Sequence, residues 1–394
     1  MTENNPSKLG VLGVLAVPNP LMKPSDARPS PRMIFGPGRL AELPECLASL
    51  GSTRALIVTD PGIIAAGHVA RATAFLTAAG IHATVFEGSH TNPTETDIEA
   101  CRDFAKNINP DVLIGLGGGS SMDTAKGCNF LLSNPGRMAD YIGYGLANHA
   151  MLPFIAIPTT AGTGSECQSY AIVSRDGTHE KMACGDPKAL AHTAILDPEL
   201  TASQPQNVAT LTALDALSHA LESAVCTKRN AISSAFSAES FQLISSAIRD
   251  VLTGRANLET RGHMLYGAAL AGCAIENSML GAAHATANPL TAHFNIPHGL
   301  AVTIMLPHVI RLNHSDPEIA LIYQNLARDL DSPLIAWLEK TIKLADLPTP
   351  EIPLTAIPKL AEAATHQWTG RFNPVPLDCA TITTLYQAAL TPSS

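Results

Sequence analysis

The sequence predicts an α/β N-terminal domain, with a parallel sheet covered by helices, followed by an all-α C-terminal domain. Up to about residue 200, short apolar runs alternate with segments that carry a helical pattern. These runs are apolar throughout, which is typical of strands buried on both faces of a parallel sheet. Beyond residue 200 strand-like runs largely disappear, and long Ala/Leu/Ser-rich stretches place apolar residues every three or four positions.

Local patterns predict the individual elements of the first half. Runs of β-branched and apolar residues predict strands, and Ala-rich stretches with helical spacing predict helices. In order, these are a strand at 55–59, a helix at 65–79, a strand at 83–86, a helix at 95–107, a strand at 112–116 and a strand at 154–157.

The change of pattern near residue 200 divides the chain. We expect an N-terminal extension at 1–30, an α/β domain at 31–200 and a helical domain at 201–394. The proline-rich stretch 348–358 predicts a connector between two helices.

Composition argues against several classes of protein. The 394 residues are 46% apolar and 15% charged, and 34 acidic against 25 basic side chains give a formal net charge of −9. Nucleic-acid binding normally needs a basic surface, and a membrane-spanning helix needs about 20 consecutive apolar residues. We therefore expect neither a nucleic-acid partner nor a membrane partner.

Two features bear on location. The eight cysteines are scattered singly, without a C-x-x-C pair, which is typical of reduced thiols in the cytoplasm. Residues 9–17 form a short apolar run that Pro18 and Pro20 close, and only Lys8 precedes it, which does not suit a secretory signal. We expect this run to be an arm that packs on the domain or on a second subunit.

A glycine-rich segment follows the predicted strand at 112–116 and begins a helix. Three glycines, Gly117 to Gly119, precede Ser120, and Asp123 lies in the first helical turn. Glycines let the backbone approach a ligand, and free N–H groups at a helix start favour a phosphate. The alternative is a tight turn in which Ser120 or Ser121 caps the helix. The segment matches neither G-x-G-x-x-G nor the P-loop.

Two further polar segments follow predicted strands. Asp60 ends the first of these strands, where a carboxylate can bind the ribose 2′-hydroxyl of NAD and would repel the 2′-phosphate of NADP. The alternative is that Asp60 only begins a turn with Pro61. The loop 158–166 carries Thr159 and Thr160 among glycines. Open α/β sheets bind ligands at the carboxyl ends of strands, so the three segments together indicate a ligand site.

The helical half contains candidate metal ligands. Asp215 and His219 are four residues apart, so on a helix their side chains share one face. His284 and His298 add two imidazoles, and three imidazoles with one carboxylate suit Fe²⁺ or Zn²⁺. His293 lies between them and is an alternative ligand. The other interpretation of Asp215 and His219 is an exposed pair on an amphipathic helix.

Taken together, these motifs resemble the iron-containing (group III) alcohol dehydrogenase family. The resemblance runs from about residue 33 to residue 377, and its segments occur in the family's order and at family-like spacing. They are MIFGPG at 33–38, VTD at 58–60, NPT at 92–94, GGGSSMDTAK at 117–126, PTTAGTGSE at 158–166, GDPK at 185–188, DALSHALE at 215–222, the stretch 284–298 and NPVPL at 373–377.

The resemblance implies a dehydroquinate synthase-like fold, with a dinucleotide-binding domain, a helical metal-binding domain and a cleft between them. It implies hydride transfer between NAD(H) and a small alcohol or aldehyde, with Fe²⁺ or Zn²⁺ as the metal, in a cytoplasmic homodimer. By position, the metal-binding and catalytic residues would be Asp215, His219, His284 and His298. The NAD-binding residues would be Asp60, Gly117, Gly118, Gly119, Ser120, Asp123, Thr159, Thr160 and Lys181.

The chain departs from the family pattern at two positions. The family's alcohol dehydrogenases usually have a third histidine four residues after the first of the His pair, and here Asn288 occupies that position. Asn forms hydrogen bonds but does not titrate near neutral pH, which puts a proton relay at this position in doubt. Ile275 replaces the usual aromatic residue nine positions before His284, so we expect an atypical substrate pocket.

Two other functions remain open at this stage. A related enzyme on the same scaffold would be a polyol or hydroxyacid oxidoreductase, or a metal-independent reductase. A catalytically silent module that binds a nucleotide or a metal is the second alternative, and the intact set of presumed metal ligands argues against it.

Overall fold

The computed structural model describes residues 27–177 and 180–391. The predicted apolar arm at 9–17 and most of the predicted extension at 1–30 lie outside these residues. The strands are β1 (Arg32–Phe35), β2 (Arg54–Val58), β3 (His82–Phe86), β4 (Val112–Gly117), β5 (Gly143–Tyr144), β6 (Phe154–Pro158), β7 (Tyr170–Ser174), β8 (Lys181–Gly185) and β9 (Thr193–Leu196).

Six strands form one parallel sheet in the order β1-β9-β6-β4-β2-β3. The central strand β4 pairs with β2 on one side and β6 on the other, so Ile114 lies opposite Ile57 and Ile155. All three side chains are fully buried, as in a parallel sheet covered on both faces. β5, β8 and β7 form a second, smaller sheet that the sequence analysis did not predict.

The helices cover the sheet and build the second half. They are α1 (Leu43–Ser49), α2 (Pro61–Ala65), α3 (His68–Ala78), α4 (Glu95–Ile108), α5 (Gly119–Ser133), α6 (Gln206–Val225), α7 (Ala231–Leu252), α8 (Leu258–Glu276), α9 (Ala282–Phe294), α10 (His298–Asn313), α11 (Pro317–Leu326), α12 (Leu334–Leu344), α13 (Ile357–Thr365) and α14 (Cys379–Leu390). Among the described residues, the segment after Gln206 contains helices and their connections.

The helix predicted at 65–79 is wrong as a single element. The structure has α2 ending at Ala65 and α3 beginning at His68. Gly67 separates them with φ at +82°, a left-handed conformation that a continuous right-handed helix does not contain. The Ala-rich pattern is the same on both sides of this break, so periodicity alone did not show it.

The helix α6 forms the centre of the helical half. It is buried almost continuously from Ala213 to Val225 and packs against α7, α8 and α10. A helix buried around its whole circumference belongs to the interior of a domain. Polar side chains on α6 therefore need partners from neighbouring helices, and these partners define the site described below.

The fold brings the carboxyl ends of β2, β4 and β6, neighbours in the central sheet, to one edge that faces the helical half. A cleft of about 790 Å³ lies between them. No helix in the described part of the chain is long and apolar enough to cross a membrane.

Candidate active site

The glycine-rich segment forms the start of α5 at one wall of the cleft. Gly118 is the residue before the first turn, and no side chain in the described part of the chain caps the helix there. The hypothesis that Ser120 or Ser121 caps α5 is therefore wrong. The first N–H groups of α5 remain open to the cleft, which is the arrangement that binds phosphate groups in other proteins.

Two glycines are required by close packing. A Cβ on Gly117, whose φ is +153°, would lie 2.4 Å from Ser121 Oγ, and a Cβ on Gly119 would lie 2.8 Å from Thr163 Cγ2. Gly119 therefore keeps the start of α5 close to the loop after β6, and Gly117 leaves room for Ser121 in the first turn of α5.

Asp60 serves a structural role and still presents an oxygen near the cleft. Its Oδ1 accepts hydrogen bonds from Gly62 N at 2.8 Å and Ile63 N at 3.1 Å, which caps α2. Its Oδ2 lies 3.5 Å from Ser121 Oγ. The two sequence interpretations, a turn and a ribose ligand, are therefore compatible because they use different oxygens.

Thr159 and Thr160 follow β6 in the cleft wall. The hydroxyl oxygens of both residues are buried and have no hydrogen-bond partner among the described residues. Buried hydroxyl groups are normally hydrogen-bonded, so this pair indicates a position where a polar ligand binds.

Asp123 and Lys181 continue the cleft toward the helical half. Asp123 Oδ1 accepts a hydrogen bond from Ser165 Oγ at 2.9 Å. Burial raises the pKa of Asp123 to about 6, although nearby Lys126 and Lys181 oppose the shift. Burial lowers the pKa of Lys181, while the carboxylates of Asp215 and Asp123 act in the opposite direction.

The candidate metal ligands meet at the far end of the cleft. The Nε2 atoms of His284, His219 and His298 lie 3.5, 3.6 and 3.9 Å from one oxygen, Asp215 Oδ1. Asp215 Oδ1 and His284 Nε2 are buried without a hydrogen-bond partner in the described structure. Buried nitrogen and oxygen atoms that converge without forming hydrogen bonds are typical of a cation site, so these residues fit a divalent ion.

The tightest part of this cluster consists of three residues. One ligand atom from each of Asp215, His284 and His298 lies within 4.8 Å of the other two. His219 joins the cluster from the side, with its ring stacked on that of His284 at a centroid distance of 4.8 Å. The alternative ligand His293 is exposed and does not line the cleft.

The charges in the cluster are strongly coupled. Burial alone would raise the pKa of Asp215, but the three imidazoles, His219 foremost, hold that pKa well below its usual range. Burial lowers the pKa of His219, and burial together with Lys181 lowers the pKa of His298. The lowered pKa values leave His219 and His298 as neutral imidazoles beside an ionised carboxylate, and these are protonation states that bind a metal.

Glu222 supports the cluster, although the sequence patterns above gave no role to this residue. Its Oε2 accepts a hydrogen bond from His284 Nδ1, and its Oε1 accepts one from Ala283 N at 2.7 Å. The negative charge of Glu222 and its bond to Nδ1, together with Asp215, raise the pKa of His284 to about 9 against the effect of burial. A sequence signal existed, because Asp215, His219 and Glu222 recur at i, i+4 and i+7 on one helix face.

The backbone carbonyl of Gly162 orients the imidazole of His219. His219 Nδ1 lies 3.2 Å from the backbone oxygen of Gly162, in the loop after β6. This bond directs Nε2 toward Asp215 and links the dinucleotide side of the cleft to the metal side. No local pattern predicts it, since the two residues are 57 positions apart.

The cleft is also lined by uncharged side chains from the helical half. They come from the end of α8, the α8–α9 connection, α9 and the segment after α13: Ile275, Met279, Leu280, Asn288, Gln367, Trp368 and Thr369. Asn288 Nδ2 donates to Gln367 Oε1 at 2.9 Å.

Comparisons with known proteins agree with this chemistry. A family profile described as iron-containing alcohol dehydrogenase matches residues 30–198. A second, described as the C-terminal part of the Fe-containing alcohol dehydrogenase family, matches residues 209–390. Alcohol dehydrogenase 4 of Schizosaccharomyces pombe is 36% identical over 284 residues, which are 72% of this chain and 67% of that protein.

Solved structures confirm the predicted fold class. A 1,3-propanediol oxidoreductase superposes with a TM-score of 0.86 at 29% identity, over 93% of this chain and 100% of that one. A sulfoacetaldehyde reductase from Bifidobacterium kashiwanohense, solved in complex with NAD⁺, gives a TM-score of 0.84 at 25% identity, over 94% of this chain and 100% of that one. The chain belongs to the iron-containing alcohol dehydrogenase family.

Proposed function

We propose that this protein is an NAD(H)-dependent, metal-dependent alcohol dehydrogenase or aldehyde reductase that acts on small substrates. The observation that carries the proposal is the convergence of three imidazoles on Asp215 Oδ1 in the same cleft as the open start of α5. A metal site and a phosphate site in one cleft suit an enzyme that joins a dinucleotide to a metal-assisted redox reaction.

The metal site would consist of Asp215, His219, His284 and His298. Three nitrogen donors and one carboxylate suit Fe²⁺ or Zn²⁺ better than Mg²⁺ or Ca²⁺, which prefer oxygen donors. When bound, the ion supplies Lewis acidity toward an alcohol or carbonyl oxygen, and NAD(H) supplies or accepts the hydride.

The remaining roles belong to the dinucleotide side. The backbone N–H groups of residues 117–120 would bind the pyrophosphate, and Asp60 Oδ2 would accept a hydrogen bond from the ribose. The hydroxyls of Thr159 and Thr160, which have no partner within the described residues, would line the rest of the NAD site with Asp123 and Lys181.

The chain itself orients the reacting groups. Glu222 and the Gly162 carbonyl bind the Nδ1 atoms of His284 and His219, which keeps both Nε2 atoms directed at the cluster. Side chains from both halves of the chain enclose the cleft, so bound substrate and nicotinamide would be shielded from water while hydride moves between them.

Three further statements belong to the same proposal. We divide the chain into an extension at 1–30, an NAD-binding domain at 31–200 and a metal-binding domain at 201–394. We place the enzyme in the cytoplasm, because all eight cysteines are free and seven are buried. We expect a homodimer, for which light scattering would give about twice the chain mass of 41.3 kDa.

The test is NADH oxidation by protein prepared without oxygen and loaded with Fe²⁺, against a panel of short aldehydes, with and without a chelator. We expect turnover that the chelator abolishes and that added Fe²⁺ or Zn²⁺ restores. Turnover that ignores the chelator would identify a metal-independent reductase instead. NADH binding without turnover of any carbonyl, with the metal bound, would contradict the enzymatic proposal.

A further inference from the structure

We propose that Asn373 is a positioning residue of the metal site, whose side-chain amide fixes the first turn of α9 and thereby the imidazole of His284. Asn373 begins the NPVPL segment at 373–377, to which the proposed reaction gives no role. The inference rests on the proposed function, because it takes His284 as a metal ligand. Among the described residues, Asn373 is not one of those that line the cleft, so it acts through the backbone of α9.

The start of α9 has no cap of its own. Gly281 precedes the helix and carries no side chain, so the N–H groups of the first turn need acceptors from other segments of the chain. Ala282 N donates to Asn373 Oδ1 at 3.2 Å. Ala283 N donates to Glu222 Oε1 at 2.7 Å. These two side chains, both distant in sequence, therefore set the position of the first turn of α9.

The imidazole of His284 depends on that position. His284 is the third residue of α9 and directly follows the two bonded N–H groups. Its Nδ1 donates to Glu222 Oε2, and its Nε2 lies 3.5 Å from Asp215 Oδ1. Because one ring must reach two carboxylates at once, a small shift of the first turn would lengthen one of these contacts. Asn373 thus contributes to the geometry of the cluster without touching it.

The amide of Asn373 uses its full hydrogen-bonding capacity. Besides the bond from Ala282 N, its Oδ1 accepts one from Asn313 Nδ2 at 3.1 Å. Its Nδ2 donates to Asn313 Oδ1 at 2.7 Å and to the backbone oxygen of Val375 at 2.8 Å. An amide has two acceptor and two donor positions, and here all four are occupied. Since Asn373 is only 4% exposed, any residue that lacks these atoms would leave buried partners unpaired.

Asn313 extends the contact to the second helix that carries a histidine of the cluster. It is the last residue of α10, whose first residue is His298. Helices α9 and α10 also pack against each other. The bonds between Asn313 and Asn373 therefore join the start of the helix that supplies His284 to the end of the helix that supplies His298.

The test measures the Zn²⁺ affinity of Asn373→Ala by chelator competition. The variant leaves Ala282 N without its acceptor, and we expect the affinity to fall about tenfold, as for other residues that hold metal ligands in place. With Co²⁺ as the probe, the visible absorption of the bound ion should also change, because it depends on the arrangement of the ligand atoms. Affinity for NADH, measured by fluorescence titration, should stay at the wild-type value, since the start of α5 is unaltered.

The matched control is Asn134→Ala. Asn134 is also buried, at 5% exposure, and its Oδ1 accepts bonds from Asn148 N at 2.9 Å and His149 N at 2.8 Å. It does not line the cleft in the described structure. The control should lose thermal stability to a similar extent but keep the wild-type Zn²⁺ affinity and Co²⁺ spectrum. An Asn373→Ala variant that is less stable yet binds both ions like the wild type would overturn the inference.

Asn313→Ala decides the question if Asn373→Ala does not fold. It removes the bonds between the two amides but keeps the bond from Ala282 N to Asn373 Oδ1. We expect a smaller loss of Zn²⁺ affinity, roughly two- to fivefold, and an unaltered affinity would overturn the inference. Failure of the proposed function is distinguishable, because the wild type would then bind Zn²⁺ without metal-dependent turnover of any alcohol or aldehyde. A wild type that binds no Zn²⁺ would overturn both.

Discussion

The Glu222 carboxylate and the His284 imidazole are joined by a hydrogen bond between Oε2 and Nδ1, and both side chains are almost fully buried. Glu222 lies on α6 and His284 on α9, so the bond ties two helices together at the candidate metal site. It keeps a proton on Nδ1, so Nε2 is the nitrogen that would bind a metal once its own proton is released.

We expect Glu222→Gln to weaken metal binding by about 10- to 100-fold, because an amide does not provide the same strong acceptor for Nδ1–H. Chelator competition with Zn²⁺ or Fe²⁺ measures the affinity directly. Glu239→Gln, on the exposed side of α7, is the control and should bind metal like the wild type. Equal affinity of the Glu222 variant would show that the bond does not orient the imidazole.

The choice between His298 and His293 gives a second prediction. His298→Ala should lose bound metal and turnover, since its Nε2 is one of the three imidazole nitrogens near Asp215 Oδ1. His293→Ala should retain both, because His293 is exposed outside the cleft. Metal content by elemental analysis separates the two variants, and the opposite result would move the ligand assignment to His293.

The dinucleotide side gives a third prediction. Asp60→Asn keeps a side-chain oxygen that caps α2 but removes the charge that repels a 2′-phosphate. We expect the preference for NADH over NADPH, as a ratio of kcat/KM, to fall about tenfold or more. An unchanged ratio would exclude the ribose role.

A matched control separates charge from capping. Asp316 caps α11 in the same way, by accepting hydrogen bonds from Glu318 N and Ile319 N. It does not line the cleft. Asp316→Asn should therefore leave the preference for NADH over NADPH unaltered. Its small effect on thermal stability should be similar to that of Asp60→Asn.

The site was predictable from sequence to the extent that its chemistry is local. Asp215 and His219 share a helix face, and the glycines after β4 follow a strand and begin a helix, so spacing makes them candidates, while the roles assigned to them came from the family resemblance. The Asn288–Gln367 bond joins positions 79 residues apart. Such contacts depend on how α9 packs against distant segments, and one sequence contains no record of that packing.

The break in the predicted helix at 65–79 has a related cause. Gly67 was compatible with a helix in sequence, where one glycine costs only about 1 kcal/mol. Its left-handed conformation lets α2 begin at the Asp60 cap while α3 packs on the sheet in another direction. Tertiary packing therefore overrode a local preference.

Arg28 gives a fourth prediction, about the junction between the two halves. Its backbone N–H donates to Asn277 Oδ1 at 2.9 Å, and its guanidinium donates to Glu276 Oε1 at 3.3 Å. The guanidinium also lies 4.2 Å from the ring centroid of Tyr144. The Tyr144 ring packs at a tilt against Tyr170, with ring centroids 5.5 Å apart, so Arg28 supports a side chain that lines the cleft.

We expect Arg28→Ala to raise the KM for the alcohol about three- to tenfold, with little change in metal content, because the cleft wall beside Tyr170 loses its support. Arg28→Lys should show a smaller rise in KM than Arg28→Ala, since an ammonium group also pairs with a carboxylate and lies over an aromatic ring. Steady-state kinetics and elemental analysis check both statements. A KM that stays constant in Arg28→Ala would show that the wall does not depend on this contact.

Glu166 gives the last prediction, because it is a buried carboxyl that the proposed reaction does not use. It is 1% exposed, and its Oε1 has no hydrogen-bond partner among the described residues. Burial raises the pKa of Glu166 from 4.5 to about 7, and nearby Lys126 opposes the shift only in part. The folded protein therefore binds this proton more tightly than the unfolded chain does.

The sign of the pH effect follows from that difference. Below pH 4.5 the carboxyl is protonated in both states, and the stabilisation from the bound proton is fully present; it is lost as the pH rises through about 7. Through this group, the wild type should lose about 2–3 kcal/mol of unfolding free energy between pH 5 and pH 8.

In the Glu166→Gln variant the side chain at this position does not titrate, so the free energy of unfolding of the variant relative to the wild type should rise by that amount over the same interval. Urea unfolding at both pH values measures the difference, in which groups common to both proteins cancel. The control, Glu239→Gln at an exposed position, should differ from the wild type by the same unfolding free energy at both pH values. If the difference between Glu166→Gln and the wild type also stays constant with pH, Glu166 ionises normally in the folded protein.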